Sequence, residues 1–465
     1  MPLWRLNRGF RMPILLLGGA EVCIFFSSIF FAATIAFGSL DEARIALGSL
    51  TPKALLISFI MLGSLVAMGL YQFNQRLYFK EAVVRVAVGF VIGSLVLAAI
   101  YYAVPSLMKS RELDRIAVLY AFFLVLAVRY YFVRQVDHNI FRKRTLVVGA
   151  GERASSISDL RRVADRRGFQ LVGSLSAPGD TIVDKRAILL ENPDSLLELA
   201  RNKNANQIVV AMDDRRGNLP IKELLECKMR GIEVIDLVEF LERETGKIRI
   251  DLVSPGWLIF SRGFRVTRIR QFNKRVMDIA FSIVAVLLAW PIMLLTAIAI
   301  KLEDGLTAPV LYKQRRVGYH GDIFDVIKFR SMRVDAEVNG EAVWATKNDD
   351  RVTRVGRCLR KLRIDELPQL FNVLRGQMSL VGPRPERPMF VDELKQSIPF
   401  YDERHSVKPG VTGWAQLKYN YGASEEDAME KLQYDLYYVK NQSLLLDLVI
   451  LLQTVEVVLW GKGAR

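Results

Sequence analysis

RKLRIDELPQLFNVLRGQMSLVGPRPE, residues 360–386, sets two adjacent carboxylates, Asp365 and Glu366, among Arg354, Arg357, Arg360, Lys361 and Arg363. Cations at that density lower carboxylate pKa values and also attract phosphates. An ionised carboxylate can attack phosphorus to give an acyl phosphate. A second carboxylate beside it can hold Mg2+, whose charge offsets that of an incoming diphosphate. By itself RKLRIDE also reads as a solvated helix with charge pairs, but the residues that follow weigh against this. SLVGPRPE places Arg384 between Pro383 and Pro385, which fix the backbone and hold a guanidinium fork ready for phosphate. KPGVTGW, residues 408–414, makes a second rigid turn. Cys23, Cys227 and Cys358 form no CxxC pair, and His138, His320 and His405 are scattered. Metal chemistry must therefore rest on carboxylates and phosphates.

Upstream lie FDVIKFRSM, YKQRRVG, a 22-residue apolar run from Ile279 to Ile300 broken at Pro291, and NKRVMD. The run is long enough to span a bilayer. Spanning would put its two ends on opposite faces, separating Lys274 and Arg275 from Asp365, Arg360 and Arg384. Pro291 costs about 3 kcal/mol in a straight helix and frees the Leu287 carbonyl. On length the run reads as a span; bent at Pro291 it would instead be a re-entrant helix, 279–300, that enters and leaves on the cytoplasmic face, and the residues alone leave both readings open. Leu444 to Trp460 is apolar but contains Asp447 and Glu456, and reads as an interfacial helix or as a buried core helix.

Hydrophobic residues make up 51% of the 465, and they crowd the first third. Leu15 to Phe37, Ala54 to Tyr71, Val86 to Val104 and Ile116 to Val133 each suit a membrane span. Basic residues follow the second and fourth (Arg76, Lys80, Arg85; Arg134, Arg142, Lys143, Arg144), so both ends of the bundle, residues 1–144, belong in the cytoplasm. Glu21 and Arg129, inside apolar runs, either line a headgroup or ion path or pair within the bundle. A net charge of +15 fits work beside anionic lipid or on anionic substrates. Taken with the spans, it argues against nucleic acid.

From Thr145 the pattern becomes strand, glycine turn, helix (TLVVGAGERASSISDLRRVADRRG), with further strands at Gln170–Leu175, Gln207–Met212 and Glu233–Leu237. Alternation with helices argues for a doubly wound, Rossmann-like α/β domain over 145–255. Gly149, Gly151 and Ala154 fit a dinucleotide fingerprint, but no acidic residue ends the second strand at GSLSAPG. The glycines either make a tight turn only or hold a regulatory anion.

DELPQLFNVLRGQMSLVGPRPE is similar to the signature of the monotopic phosphoglycosyl transferases, the bacterial sugar transferase family. The motif resemblance covers Gln271 to Arg465, and four spans plus an α/β domain resemble the large members that start exopolysaccharide or O-antigen repeat units. It implies a mainly α catalytic domain, 265–465, with the re-entrant helix. It also implies transfer of a sugar-1-phosphate from a UDP-sugar to undecaprenyl phosphate at the bacterial inner membrane, with release of UMP. By position Asp365 is then the nucleophile and Glu366 the residue supporting Mg2+ and proton transfer. Arg360 and Arg384 would bind phosphate, and Lys274 and Arg275 would lie by the lipid phosphate. A homodimer is the family-level expectation, and a UDP-hexose such as glucose or galactose the favoured donor. Small members carry serine before the helix-breaking proline where this chain has Trp290, so the backbone break can persist without any serine hydroxyl contact.

Overall fold

The computed structural model describes residues 12–459 except 72–78, 106–109, 137–141, 161–162, 167, 177–179, 181–188, 191–194, 216–218, 254–255, 258–260, 262, 265–266, 306, 334–350 and 420–423. Arg76 and the 335–350 loop thus lie outside the described residues. The chain divides into two compact units, Met1–Leu252 and Val253–Arg465.

In the first unit, α1 (Met12–Phe37), α2 (Leu40–Leu47), α3 (Thr51–Ala67), α4 (Phe79–Ala103) and α5 (Arg111–Val136) form the apolar bundle. Three of its helices are long and apolar enough to cross a membrane unaided: Leu15–Phe37, Ala82–Ala103 and Arg111–Phe132. The second expected span is different. It stops at Ala67 rather than Tyr71, and α3 joins α2 at a 93° bend. Seventeen residues rise only about 25 Å, short of the roughly 30 Å of hydrocarbon. Two arginines take carbonyls just past its end, Arg85 from Met68 (2.9 Å) and Arg129 from Leu70 (3.1 Å). Arg129 also pairs with buried Glu21 through both carboxylate oxygens (2.7 and 2.9 Å), and Tyr71 donates to the same carboxylate. Of the two readings of these charges, the structure supports pairing within the bundle. Gly93 of α4 lets α3 approach, since a Cβ there would stand 2.7 Å from the Met61 sulfur.

The sheet of this unit is wholly parallel, in the order β3-β2-β1-β4-β5, from β1 (Lys143–Val148), β2 (Phe169–Leu175), β3 (Leu189–Leu190), β4 (Gln207–Val210) and β5 (Glu233–Asp236). Alternate residues feed two cores. Leu146, Val148, Ile208 and Val210 pack with α7 (Leu196–Asn202) and α8 (Ile221–Met229). Val147 and Val209 pack with α6 (Glu152–Ser158) and α9 (Leu237–Thr245). Helices therefore cover both faces, as the strand and helix alternation predicts; the two-residue β3 carries too little sequence signal to predict.

The second unit opens with α10, Arg268–Asp304, a single 37-residue helix that contains Pro291. Helical structure continues through the proline instead of ending at it. Large apolar side chains stand exposed along its length, among them Val276, Phe281, Leu287, Leu288, Trp290, Leu295 and Leu302. With the bundle helices, this surface marks the chain as membrane-associated. Both ends of α10 are fastened to the rest of the unit. Near the start, Arg275 donates to the Val373 and Leu374 carbonyls (2.5 and 2.7 Å). Near the end, Asp304 pairs with Arg330 (2.6 Å), Glu303 accepts from the Arg354 and Val355 amides (2.7 and 3.0 Å), and Ile300 packs on Phe329 and Leu359.

The remaining elements are an antiparallel hairpin, β6 (Leu311–Val317) and β7 (Ile323–Phe329); α11 (Arg354–Lys361); a 3-10 turn, Ile364–Glu366; α12 (Gln369–Arg375); and a parallel pair, β8 (Ser379–Val381) and β9 (Gly410–Thr412). α13 (Pro388–Ser397), α14 (Trp414–Lys418), α15 (Glu425–Asn441) and α16 (Leu444–Leu459) complete the unit. α16 takes the core-helix reading, with Asp447 and Ile450 fully enclosed, although Leu444, Leu445 and Val455 on its other faces stay exposed. Trp460 lies outside the described residues.

Candidate active site

Thr353 starts α11 by accepting from the Gly356 amide, and Leu362 ends it. Arg363 then takes the left-handed conformation (φ 58°), uncommon outside glycine, and turns the chain into the tight Ile364–Glu366 helix. This corner sets the two carboxylates side by side in different surroundings.

Glu366 Oε1 accepts from Arg384 Nη2 at 2.6 Å, with Arg363 at 3.8 Å and Lys328 at 3.9 Å. Burial alone would raise this carboxyl, but Arg384, Lys328 and Arg363 outweigh it and hold it at about 2. Asp365, by contrast, makes no hydrogen bond or ion pair with another described residue. Its pKa is raised, chiefly by burial and then by the neighbouring Glu366 charge, against the pull of Lys328, Arg384 and Arg360. One carboxylate is fixed and the other is unengaged. Burial lowers Lys328 in turn, although Glu366 supports its charge.

Arg384 reaches Glu366 because its loop is built to close tolerances. A Cβ on Gly382 would meet the Lys408 carbonyl at 2.3 Å, so GPRP and KPG back onto each other without room for a side chain. Arg404 then holds the loop by donating to the Arg384 carbonyl (3.0 Å) while pairing with buried Asp435 (2.8 Å). Burial raises the Asp435 carboxyl to about 6 despite Arg404. Across the loop, Arg316 donates to the Pro385 carbonyl and to Glu386 (3.1 and 3.2 Å).

The structure thus gathers Asp365, Glu366 and Arg384, with Arg360 acting on Asp365 through its charge. Lys328 is the residue the sequence did not single out. FDVIKFRSM was noted as a string, and the period-two alternation of β7, which turns Lys328 away from Ile327, is the signal that could have found it. Lys274 and Arg275 are placed elsewhere. Buried Lys274 donates to Asp447 (2.8 Å), the Val381 carbonyl (3.1 Å) and Tyr438 (3.2 Å), and Arg275 caps α12. Four residues on from Lys274, Asp278 accepts from Ser379 Oγ and Leu380 N (both 3.1 Å). Here the NKRVMD motif braces β8, the strand that leads into Arg384, and both basic residues are engaged by partners within the unit. The structure leaves Pro291 and Trp290 within α10, Trp290 exposed.

In the α/β sheet the glycine turn is already filled. Asp213 accepts from the Glu152 and Arg153 amides (2.9 and 2.8 Å), and Asp180 accepts from the Ala150 amide (2.9 Å). A Cβ on Gly151 would fall 1.7 Å from Asp213 Oδ2. Two carboxylates occupy the amides where a pyrophosphate would bind, which supports the tight-turn reading of Gly149 and Gly151.

Residues 269–461 match the family described as Bacterial sugar transferase. The chain is 46% identical over 242 residues, 52% of its length, to a UDP-N-acetylgalactosamine-undecaprenyl-phosphate N-acetylgalactosaminephosphotransferase of Aeromonas hydrophila, of which it covers 56%. It is 34% identical over 337 residues, 69% of its length, to a UDP-glucose:undecaprenyl-phosphate glucose-1-phosphate transferase of Xanthomonas campestris, of which it covers 68%. It is also 44% identical over 196 residues, 42% of its length, to a protein of the same name from Caulobacter vibrioides, covering 72% of that protein. The match to the Xanthomonas relative runs through two thirds of both chains, well beyond the segment that carries the dyad, and the chain belongs to the bacterial sugar transferase family.

Proposed function

We propose that the chain moves a sugar-1-phosphate from a UDP-sugar to undecaprenyl phosphate through a covalent intermediate on Asp365, the first step of exopolysaccharide or O-antigen repeat-unit synthesis. The observation that carries this is the asymmetry of the dyad: Glu366 is held ionised by Arg384 and Lys328, while Asp365 is unengaged beside them. An Asp365 oxygen attacks the sugar-bearing phosphorus, the bond from that phosphorus to UMP breaks, and UMP leaves with the bond electrons. An oxygen of undecaprenyl phosphate then attacks the same phosphorus and Asp365 departs as carboxylate. Neither attack by an already ionised group needs a base. Proton transfer is accordingly the weaker part of the Glu366 expectation, since a carboxyl held at about 2 accepts a proton poorly. Arg384, Lys328 and Arg360 would offset charge on the diphosphate.

Magnesium fits the donors present. No three acidic, histidine or cysteine side chains gather as a cage among the described residues, but magnesium is commonly held by one or two carboxylates with phosphate oxygens and water. Asp365 and the Glu366 oxygen not taken by Arg384 would hold it. Bound there, the ion would supply charge neutralisation for the leaving phosphate.

For α10 the reading remains a re-entrant helix with the catalytic unit on the cytoplasmic face. Straight, Arg275 and Asp304 would stand about 44 Å apart. Their partners, Val373 and Arg330, are close: Asn372 bonds the Ile327 amide (3.0 Å), and Ile327 is three strand residues from Arg330, so the anchors are separated by roughly 20 Å. Anchors that close support a bent helix over a straight one, and Pro291 is the residue that favours bending. The α/β domain, Rossmann-like in strand order, would regulate or assemble the enzyme, including as a homodimer, rather than catalyse. The carboxylates on its glycine turn support this over a dinucleotide-dependent activity.

Asp365→Asn tests the proposal. Given a UDP-sugar labelled in the sugar-linked phosphate, the wild type should become labelled and release UMP, and the variant should do neither. A labelled variant would overturn the assignment. Relatives at 46% and 44% identity carry different sugars in their names, so UDP-N-acetylgalactosamine stands beside UDP-glucose and UDP-galactose in the donor panel.

A further inference from the structure

The β6 and β7 hairpin has two faces. One turns Arg316 and Lys328 toward the carboxylate dyad. The other, with Lys313 opposite Ile327 and Arg315 opposite Asp325, forms one wall of a cavity of about 340 Å3. The opposite wall is Arg375 and Gln377, and Ile323, Phe324 and Ile327 supply its apolar lining. This volume is in the range of small-ligand pockets.

Its walls are fixed to one another. Fully buried Asn372 accepts from the Ile327 amide (3.0 Å) and donates to the Asp325 carbonyl (2.7 Å) and to the Gln377 side chain (2.9 Å). One amide side chain therefore ties the hairpin to the end of α12, so the cavity is built into the fold. Its charge, however, is uncompensated. Lys313, Arg315 and Arg375 form no hydrogen bond or ion pair with another described residue, and Asp325 is the one carboxylate in the lining. Even the cross-strand neighbours Arg315 and Asp325 do not pair. Behind Gly376, between the wall residues Arg375 and Gln377, lie the Arg275 guanidinium and the Lys408 ammonium, 3.4 and 3.7 Å from where a Cβ would be. Arg275 lies in α10 between the exposed apolar residues Phe272 and Val276. The cavity thus stands beside the first turns of α10, the helix that carries the exposed apolar surface.

We propose that this cavity is a phosphate-binding site separate from the dyad, taking the phosphate of an anionic phospholipid headgroup or of a soluble phosphate ester. Three cations lining one opening suit the oxygens of a phosphate, and guanidinium forks match their geometry. The apolar lining faces whatever carbon chain the phosphate carries. β7 connects the site to the catalytic face, since Ile327 lines the cavity and the next residue, Lys328, approaches Glu366.

The test uses the full-length protein in nanodiscs of zwitterionic lipid, doped in one arm with phosphatidylglycerol and in the other supplied with inorganic pyrophosphate. Binding is read by lipid retention in native mass spectrometry and by hydrogen-exchange protection of residues 311–329. The triple variant Lys313→Gln, Arg315→Gln, Arg375→Gln should retain at least fivefold less phosphatidylglycerol and lose the protection, with UMP release in pure zwitterionic lipid unchanged. Asp325→Asn should bind more tightly than wild type, a gain that misfolding would not produce. Protection by pyrophosphate alone, absent in the triple variant, would assign the soluble source. Equal behaviour of wild type and triple variant in both arms would overturn the proposal.

Discussion

Replacing Arg384 with glutamine should show how far catalysis depends on keeping Glu366 ionised. The carboxyl is brought from an ordinary 4.5 to about 2, against the effect of its own burial, which corresponds to about 3 kcal/mol in favour of the charged form. The side chain is 12% exposed, so solvent screens little of this. Arg384, the strongest of the lowering influences, makes a 2.6 Å bond of the kind that contributes about 1.5–3 kcal/mol. Its loss should loosen the hold on the ionised form by roughly tenfold to hundredfold. Because the folded-state pKa is depressed, the stabilisation is complete above 4.5 and is lost as pH falls toward about 2. Wild-type thermal stability should therefore decline with acid across that window. Arg384→Gln should be less stable above it and decline less steeply within it. UMP release should fall by about two to three orders of magnitude, as when one preorganised donor is removed from an active site. A variant with kcat/KM within threefold of wild type and an unaltered slope of Tm against pH would refute the coupling.

Glu366→Gln should reduce turnover severely at saturating donor, and chelation of divalent metal should produce the same loss; full activity in chelator would remove the metal from the scheme. Lys274→Ala leaves Asp447 buried without a counter-charge, with only the Tyr438 hydroxyl donating to it (2.6 Å), and should cost about 3–5 kcal/mol in detergent unfolding, whereas Lys274→Met with Asp447→Leu should recover most of it. Single cysteines at Asn273 and Thr307, in a chain without Cys23, Cys227 and Cys358, should both be shielded from an impermeant reagent in spheroplasts and react after lysis. Labelling at Thr307 from the periplasm would show that α10 spans. A chain starting near Arg265 should keep measurable transferase activity in detergent, and a folded, membrane-bound but inert product would assign the preceding unit an essential role.

Much of the site was legible because its chemistry is local. Asp365 and Glu366 are neighbours, the arginines before them lie within three turns, and the GPRP rigidity is written in its prolines. What was hidden is pairing across distance. Lys328 and Glu366 are 38 residues apart, and only the closing of the hairpin over the 3-10 turn brings them within 3.9 Å. Lys274 and Arg275 are set by the lipid phosphate through the resemblance alone, by their position in NKRVMD. The carbonyls and carboxylate that take them come from β8, α12 and α16, about 100 to 170 positions later. In the bundle, apolar length located the helices but not where α3 ends, since its shortness depends on arginines from α4 and α5 that accept the burden of its last carbonyls. The carboxylates of Asp180 and Asp213 on the glycine turn were likewise invisible to a fingerprint that scores only the turn itself.

The bond between Lys274 and Asp447 also has a consequence for synthesis. The partners lie 173 positions apart. At about 5–20 residues per second, the lysine leaves the ribosome roughly 10–35 s before the aspartate is made. Throughout that interval Lys274 lacks the Asp447 carboxylate, and β8, whose Val381 carbonyl that ammonium also takes, lacks its tie to the last helix. A C-terminally clipped chain would therefore lack the brace behind the strand that leads into the Arg384 loop.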